Sequence, residues 1–98
     1  MKIYKYPLEI IDRQIIPTGS VVATPLSVAE QGGVLTMWVE LDADTIPLHL
    51  VHESYEIDVD IVGTGSPYNN DEDKRFVGTV VMSSGLVWHV FAKGRHAE

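Results

Sequence analysis

The sequence predicts an all-β domain: one small antiparallel sandwich, or a partly open barrel, of six or seven strands with little helix. Three observations carry that expectation. Apolar residues recur at every second position, the period of a half-buried strand. Branched and aromatic residues crowd the same segments. Glycine and proline punctuate the chain at short intervals, as in "AEQGG", "GTGSP" and "SSG".

Taken from the N-terminus, "KIYKYPLE" reads as a first strand ended by Pro7, with Tyr4 and Tyr6 on one face. "DRQIIPTG" is a short second strand with a turn at Pro17-Thr18-Gly19. In the third, "SVVATPLSV", Pro25 cannot donate a ladder hydrogen bond, so the strand lies at an edge or is bulged there. "AEQGG" then makes a hairpin connection into "VLTMWVELD". Leu35, Met37, Val39 and Leu41 form one face of that strand; Val34, Thr36, Trp38 and Glu40 form the other. "TIPLHLVHESY" has room for one helical turn, since Pro47 and the branched residues oppose more.

The cleanest alternation is "YEIDVDI". Tyr55, Ile57, Val59 and Ile61 point inward, and Glu56, Asp58 and Asp60 occupy a solvated face. "NNDED" reads as a mobile polar loop. "RFVGTVVM", "SSG" and "LVWHVFAK" make a second hairpin. Its last strand is apolar on both faces, with Leu86, Trp88 and Val90 on one and Val87, His89 and Phe91 on the other. Such a strand is covered twice, inside the sheets or against another subunit.

Ninety-eight residues make one domain spanning 1–98. With no cysteine, disulfides and thiolate metal sites are excluded. No apolar run is long enough to span a membrane, and the first residues lack a signal-peptide core, so the expectation is a soluble, cytoplasmic protein. Seven Lys and Arg stand against fourteen Asp and Glu, a net charge of −7. That field disfavours nucleic acid and anionic membranes as partners. The basic cluster of Lys93, Arg95 and His96 is too thin for a nucleic-acid footprint.

"VGT" occurs twice, at Val62-Gly63-Thr64 and Val77-Gly78-Thr79, and the first copy continues into Gly65-Ser66-Pro67. A phosphate-binding glycine turn opens a helix, whose amides face the anion. No helical pattern follows Gly65 and no P-loop lysine is present, so the stretch reads as a turn. Its repeat marks two strands whose glycines let backbones approach. Gly63, Thr64, Gly65, Ser66, Tyr68 and Asn69 still offer hydrogen-bonding groups to a small ligand at the loop's side.

His49 and His52, with Glu53, form a weak metal-ligand pattern that lacks the HExxH spacing and a third ligand, so no metal is expected. His89, between Trp88 and Val90, reads as a hydrogen-bonded core residue, with pocket lining as the alternative. Without cysteine or a G-x-S-x-G elbow, no catalytic residue is assigned. Trp38, on the less apolar face of its strand, is an interface candidate, and Trp88 and His89 complete the candidate set.

Three blocks, "IYKYPLEI", "IVGTGSP" and "FVGTVVMSSGLVWHVF", together resemble a family of small, functionally uncharacterised proteins of phages and bacteria. Its members share an I-Y-K-Y-P-L opening, a V-G-T-G-x-P turn and a closing G-x-L-V-W/F-H-V-F strand; many carry histidine where this chain has Ser66. The resemblance implies a phage or prophage context in the host cytoplasm. It brings no catalytic residues and no cofactor. The expected function is non-enzymatic binding, as a host-protein antagonist or by sequestering a small nucleotide-like ligand, in an anti-defence role and as a homo-oligomer. The alternatives are a virion structural or assembly protein and, more weakly, an enzyme using His89 or His49/His52.

Overall fold

Residues 1–42 and 54–97 are described by a computed structural model, and among them seven strands form two antiparallel sheets without a helix. In chain order they are β1 (Lys2–Pro7), β2 (Arg13–Gly19), β3 (Val22–Gln31), β4 (Val34–Asp42), β5 (Tyr55–Gly63), β6 (Arg75–Val81) and β7 (Val87–His96). The first sheet has the order β1-β4-β3 and the second β2-β5-β7-β6. The two do not close into a barrel, so the fold is a sandwich, as the alternation predicts. None of the described residues lies in a helix long and apolar enough to cross a membrane.

The core is the set of inward alternate positions. Leu35, Met37, Val39 and Leu41 of β4 face Ile57, Val59 and Ile61 of β5 and Val90 and Ala92 of β7, all buried. Outward positions Val34 and Glu40 of β4 are exposed or half-buried. β3 is the strand of the first sheet that comes closest to the second, touching β5, β6 and β7. Two glycines make room for it. A Cβ on Gly94 would fall onto the carbonyl oxygen of Ala23, and one on Gly78 would lie 3.0 Å from Val28 Cγ2. Side chains also tie this seam. Arg75 Nη1 donates to the Pro25 carbonyl at 2.7 Å, and Ser83 donates to Glu30 through its amide and its hydroxyl.

Several strand-level expectations hold. The register of β3 on β4 shifts between Pro25 and Ser27, so the proline sits at a bulge on an edge strand, where its missing amide breaks no ladder. Gln31 pairs with Val34, leaving Gly32 and Gly33, with φ of 59° and 80°, as a two-residue hairpin loop.

Others are corrected. Pro17-Thr18-Gly19 is a bulge within β2, not a turn; Pro17 and Gly19 still pair with Glu56 and Tyr55. Leu86 precedes β7 and is exposed, whereas Trp88, Val90 and Ala92 face inward. Within the "NNDED" segment, Asn70 Nδ2 donates to the Lys74 carbonyl and Asn70 Oδ1 accepts from its amide, both at 2.8 Å, and Glu72 lies 3.3 Å from Arg95 of β7. The largest correction concerns β5. Its outer face is not solvated, for the Asp58 side chain is 0% exposed. The helical-turn expectation for residues 45–55 and the His49/His52/Glu53 pattern fall on or across 43–53, outside the described residues.

Candidate functional site

The outer face of the second sheet carries two unlike regions, divided by the chain segment that links β5 to β6. That segment leaves β5 at Gly63 and turns at once. Ser66 N donates to the Gly63 carbonyl at 3.0 Å, and Gly65 takes a φ of 85° that a side chain would oppose. It then folds back over β5 instead of opening a helix, and Asp73, at φ 53°, turns it into β6.

One region is a charged cover. Arg13 of β2 grips Asp58 in a two-pronged bond, Nε–Oδ1 at 2.9 Å and Nη2–Oδ2 at 2.6 Å. Arg95 of β7 donates to Glu56 at 2.9 Å and lies 3.0 Å from Asp58. Lys74, its side chain only 4% exposed, reaches Asp60 at 2.8 Å and Asp58 at 3.3 Å. Glu72 closes the cover within 3.3 Å of Arg95 and 3.7 Å of Lys74. Lys93, directly opposite Asp58 in the ladder, reaches instead toward the Glu72 carbonyl; the diagonal arginines take the carboxylate. Burial by itself would push the Asp58 carboxyl up, but hydrogen bonds from Arg13 and Lys74 outweigh it and hold it at about 2.

The second region is neutral and aromatic. It is a hollow of about 270 Å³ with Gly63, Thr64, Gly65 and Ser66 on one side and Tyr68, Phe76, His89 and Phe91 on the other. The phenyl ring of Phe91 touches both neighbours, its centroid 4.6 Å from Tyr68 and 5.3 Å from Phe76. Phe76 leaves 53% of its surface to solvent. The Tyr68 hydroxyl points away into the cover and donates to Asp60 at 2.7 Å. Burial, then that bond, raises the phenol well above its ordinary value and keeps it protonated.

His89 is half-buried on this outer face, so the expectation of a core histidine is corrected in favour of pocket lining. Its two ring nitrogens are bridged to threonine hydroxyls, Nε2 to Thr64 at 2.8 Å and Nδ1 to Thr79 at 2.9 Å. These are the third residues of the two "VGT" copies. The first copy ends β5 across from His89 and the second lies on β6, where Thr79 pairs directly with it. The repeat thus does more than mark close backbones.

Of the candidate residues, Gly63, Thr64, Gly65, Ser66, Tyr68 and His89 meet in this one hollow. Asn69 is exposed and lies instead beside Arg13, Asp60 and Lys74. Trp88 packs its inner side on the core and borders an adjoining hollow of about 390 Å³, which shares Gly63, Ser66 and Tyr68 with the first and adds Asp12, Arg13 and Pro67. Trp38 is half-buried on the outer face of the first sheet, away from the site. Phe76, Phe91 and Thr79 were not assignable to a site from the sequence. The one available signal was the repeated tripeptide, which places one threonine in the turn just past β5 and the other on β6, the two strands that flank β7. No cluster of three or more potential metal ligands occurs among the described residues.

The chain belongs to the family described as a domain of unknown function, DUF7352, which it matches over residues 1–98. Neither the curated proteins nor the solved structures contain a match to it.

Proposed function

We propose that this DUF7352 chain is a non-catalytic binding module of phage type, acting in the host cytoplasm by holding a small ligand in the aromatic hollow and serving an anti-defence role. The observation that carries the reading is the hollow itself. Three packed rings, one of them largely exposed, meet a rim that carries the hydroxyl-bearing residues Thr64 and Ser66. A few convergent polar groups over aromatic walls are what a small-molecule site requires. Chemistry has less support there. The His89 nitrogens are held by threonines, and among the described residues no carboxylate stands in hydrogen-bond contact with the ring to orient it as a base.

The phage context rests on the resemblance of the three sequence blocks. The homo-oligomer rests on exposed apolar side chains, among them Val81 on the edge strand β6 and Leu86 in the turn after it. The test is to express the chain in a bacterial host, purify it, denature it and identify what is released by mass spectrometry, with sedimentation of the intact protein alongside. A defined small molecule released from wild type and absent from Phe76→Ala is expected. A strictly monomeric protein that releases nothing from either form overturns the reading.

A further inference from the structure

Resting on the reading that this hollow holds a small ligand, we infer that the ligand is an uncharged planar heteroaromatic ring of the nucleobase or nucleoside class, stacked on Phe76 and Phe91 and hydrogen bonded along its edge by Thr64 and Ser66, and that phosphorylated forms are disfavoured.

The rings come first. Tyr68, Phe91 and Phe76 form a row with interplanar angles of 32° and 54°. The row ends at Phe76, which lines the hollow and leaves about half its surface to solvent, so one more flat ring has room to join there. Aromatic stacking of bases is tolerant of base identity, because every base has a π-face.

Hydrogen-bond arithmetic at His89 adds the edge. In a neutral imidazole one nitrogen donates and the other accepts. One of Thr64 and Thr79 must then donate to the ring while the other accepts from it. The accepting threonine keeps its own O–H to give, and the donating one keeps lone pairs. Thr64 and Ser66 stand at the hollow, so its rim offers hydroxyls suited to the mixed donor and acceptor edge of a heterocycle.

Charge then selects against phosphate. Among the described residues, no lysine, arginine or acidic residue lines this hollow. The nearest cations of the cover, Lys74 and Arg13, are already bound to Asp58 and Asp60, and the whole chain carries −7. An anion bound here gains no counter-charge and meets a repulsive field. The volume, about 270 Å³ in an open hollow, falls just below the ordinary span of ligand pockets, which suits a one- or two-ring molecule and nothing larger.

The experiment is an amide NMR titration of the full chain with adenine, adenosine, AMP, inorganic phosphate and cyclohexanol, the last being similar in size to a ring but without a flat π-face. Adenine and adenosine are expected to shift the amides of residues 63–66, 76, 89 and 91. AMP is expected to bind about fivefold more weakly at low salt, with the gap closing as salt screens it. Phe76→Ala should weaken adenosine about tenfold, and Thr64→Val should weaken it while leaving the spectrum of the free protein dispersed. AMP binding more tightly than adenosine, or cyclohexanol binding as well, overturns the ring assignment while the hollow remains a site. If none of the five probes moves the hollow's amides, the ring assignment is overturned together with the reading beneath it.

Discussion

Replacing Asp58 by asparagine removes the charge on which the cover converges and keeps the side chain's shape. In the native protein Arg13, Lys74 and Arg95 all lie within 3.3 Å of this carboxylate, whose side chain is wholly buried. Breaking a buried pair by neutralising one partner costs about 3–5 kcal/mol, because the remaining charges keep their desolvation penalty. Arg13 and Arg95 stay partly exposed and retain Glu72 and Glu56 nearby, so the lower end, about 3 kcal/mol, is expected. Urea unfolding at neutral pH reads this directly, and it is a large share of the roughly 5–15 kcal/mol a domain possesses. A second signature comes from acid. Asp58 ionises at about 2 when folded against an ordinary 3.8. A depressed carboxyl stabilises the fold fully above its unfolded value, and that stabilisation is lost as pH falls through the folded one. The shift corresponds to about 2 kcal/mol. The gap between wild type and Asp58→Asn should therefore narrow by about that much from pH 5 to pH 2. A variant within about 0.5 kcal/mol of wild type at pH 7, with an unchanged acid profile, would refute the idea that these charges hold the loop to the sheet.

The two seam glycines separate by what their Cβ would meet. Gly94→Ala drives a methyl into the Ala23 backbone and should cost about 3 kcal/mol or more, whereas Gly78→Ala meets only the end of Val28 and should cost about 1 kcal/mol. Equal melting temperatures for the two would contradict the close crossing of β3. Trp88→Ala should cost about 3 kcal/mol, the low end for a large ring, since Trp88 packs on the core with one side only. Phe76→Ala should change stability by under about 1 kcal/mol in a thermal melt, its ring being largely exposed. A larger loss would make Phe76 a structural residue and weaken its assignment to binding.

The fold was legible because β4 and the inward side of β5 alternate with period two, and a one-residue slip would have moved Met37 and Ile57 into solvent. The hairpin at Gly32-Gly33 and the bulge at Pro25 were legible for the same kind of local reason, a positive φ and a missing amide. The outer face of β5 was not. An Asp in an alternating strand looks solvated whatever covers it, and the cover is assembled from Arg13, Lys74 and Arg95, residues 45, 16 and 37 positions from Asp58. Only strand pairing reveals that β2 and β7 flank β5 on either side. The site was half legible. The polar turn from Gly63 to Ser66 announced itself, while Phe76 and Phe91 were indistinguishable from core rings until the sheet showed which way each faced.

The two regions are not independent, because Tyr68 belongs to both. Its hydroxyl donates to Asp60, which Lys74 also holds, and its ring forms a wall of the hollow against Phe91. The charged cover therefore fixes the segment that shapes the neutral site. Asn70 reinforces this by bonding both backbone groups of Lys74, so that the loop and the lysine are held together. An acidic chain thereby gains an uncharged hollow: its loop is pinned by ion pairs on one side of Tyr68, and the other side is left to aromatic rings and hydroxyls. Asp58→Asn, which touches no residue of the hollow, should on this reasoning weaken ligand binding by loosening Tyr68, while Phe76→Ala weakens it with the cover intact. Fluorescence or NMR exchange broadening at residues 64–74 in the first variant and its absence in the second would separate the two effects. Identical loop dynamics in both would mean that the hollow stands without the cover.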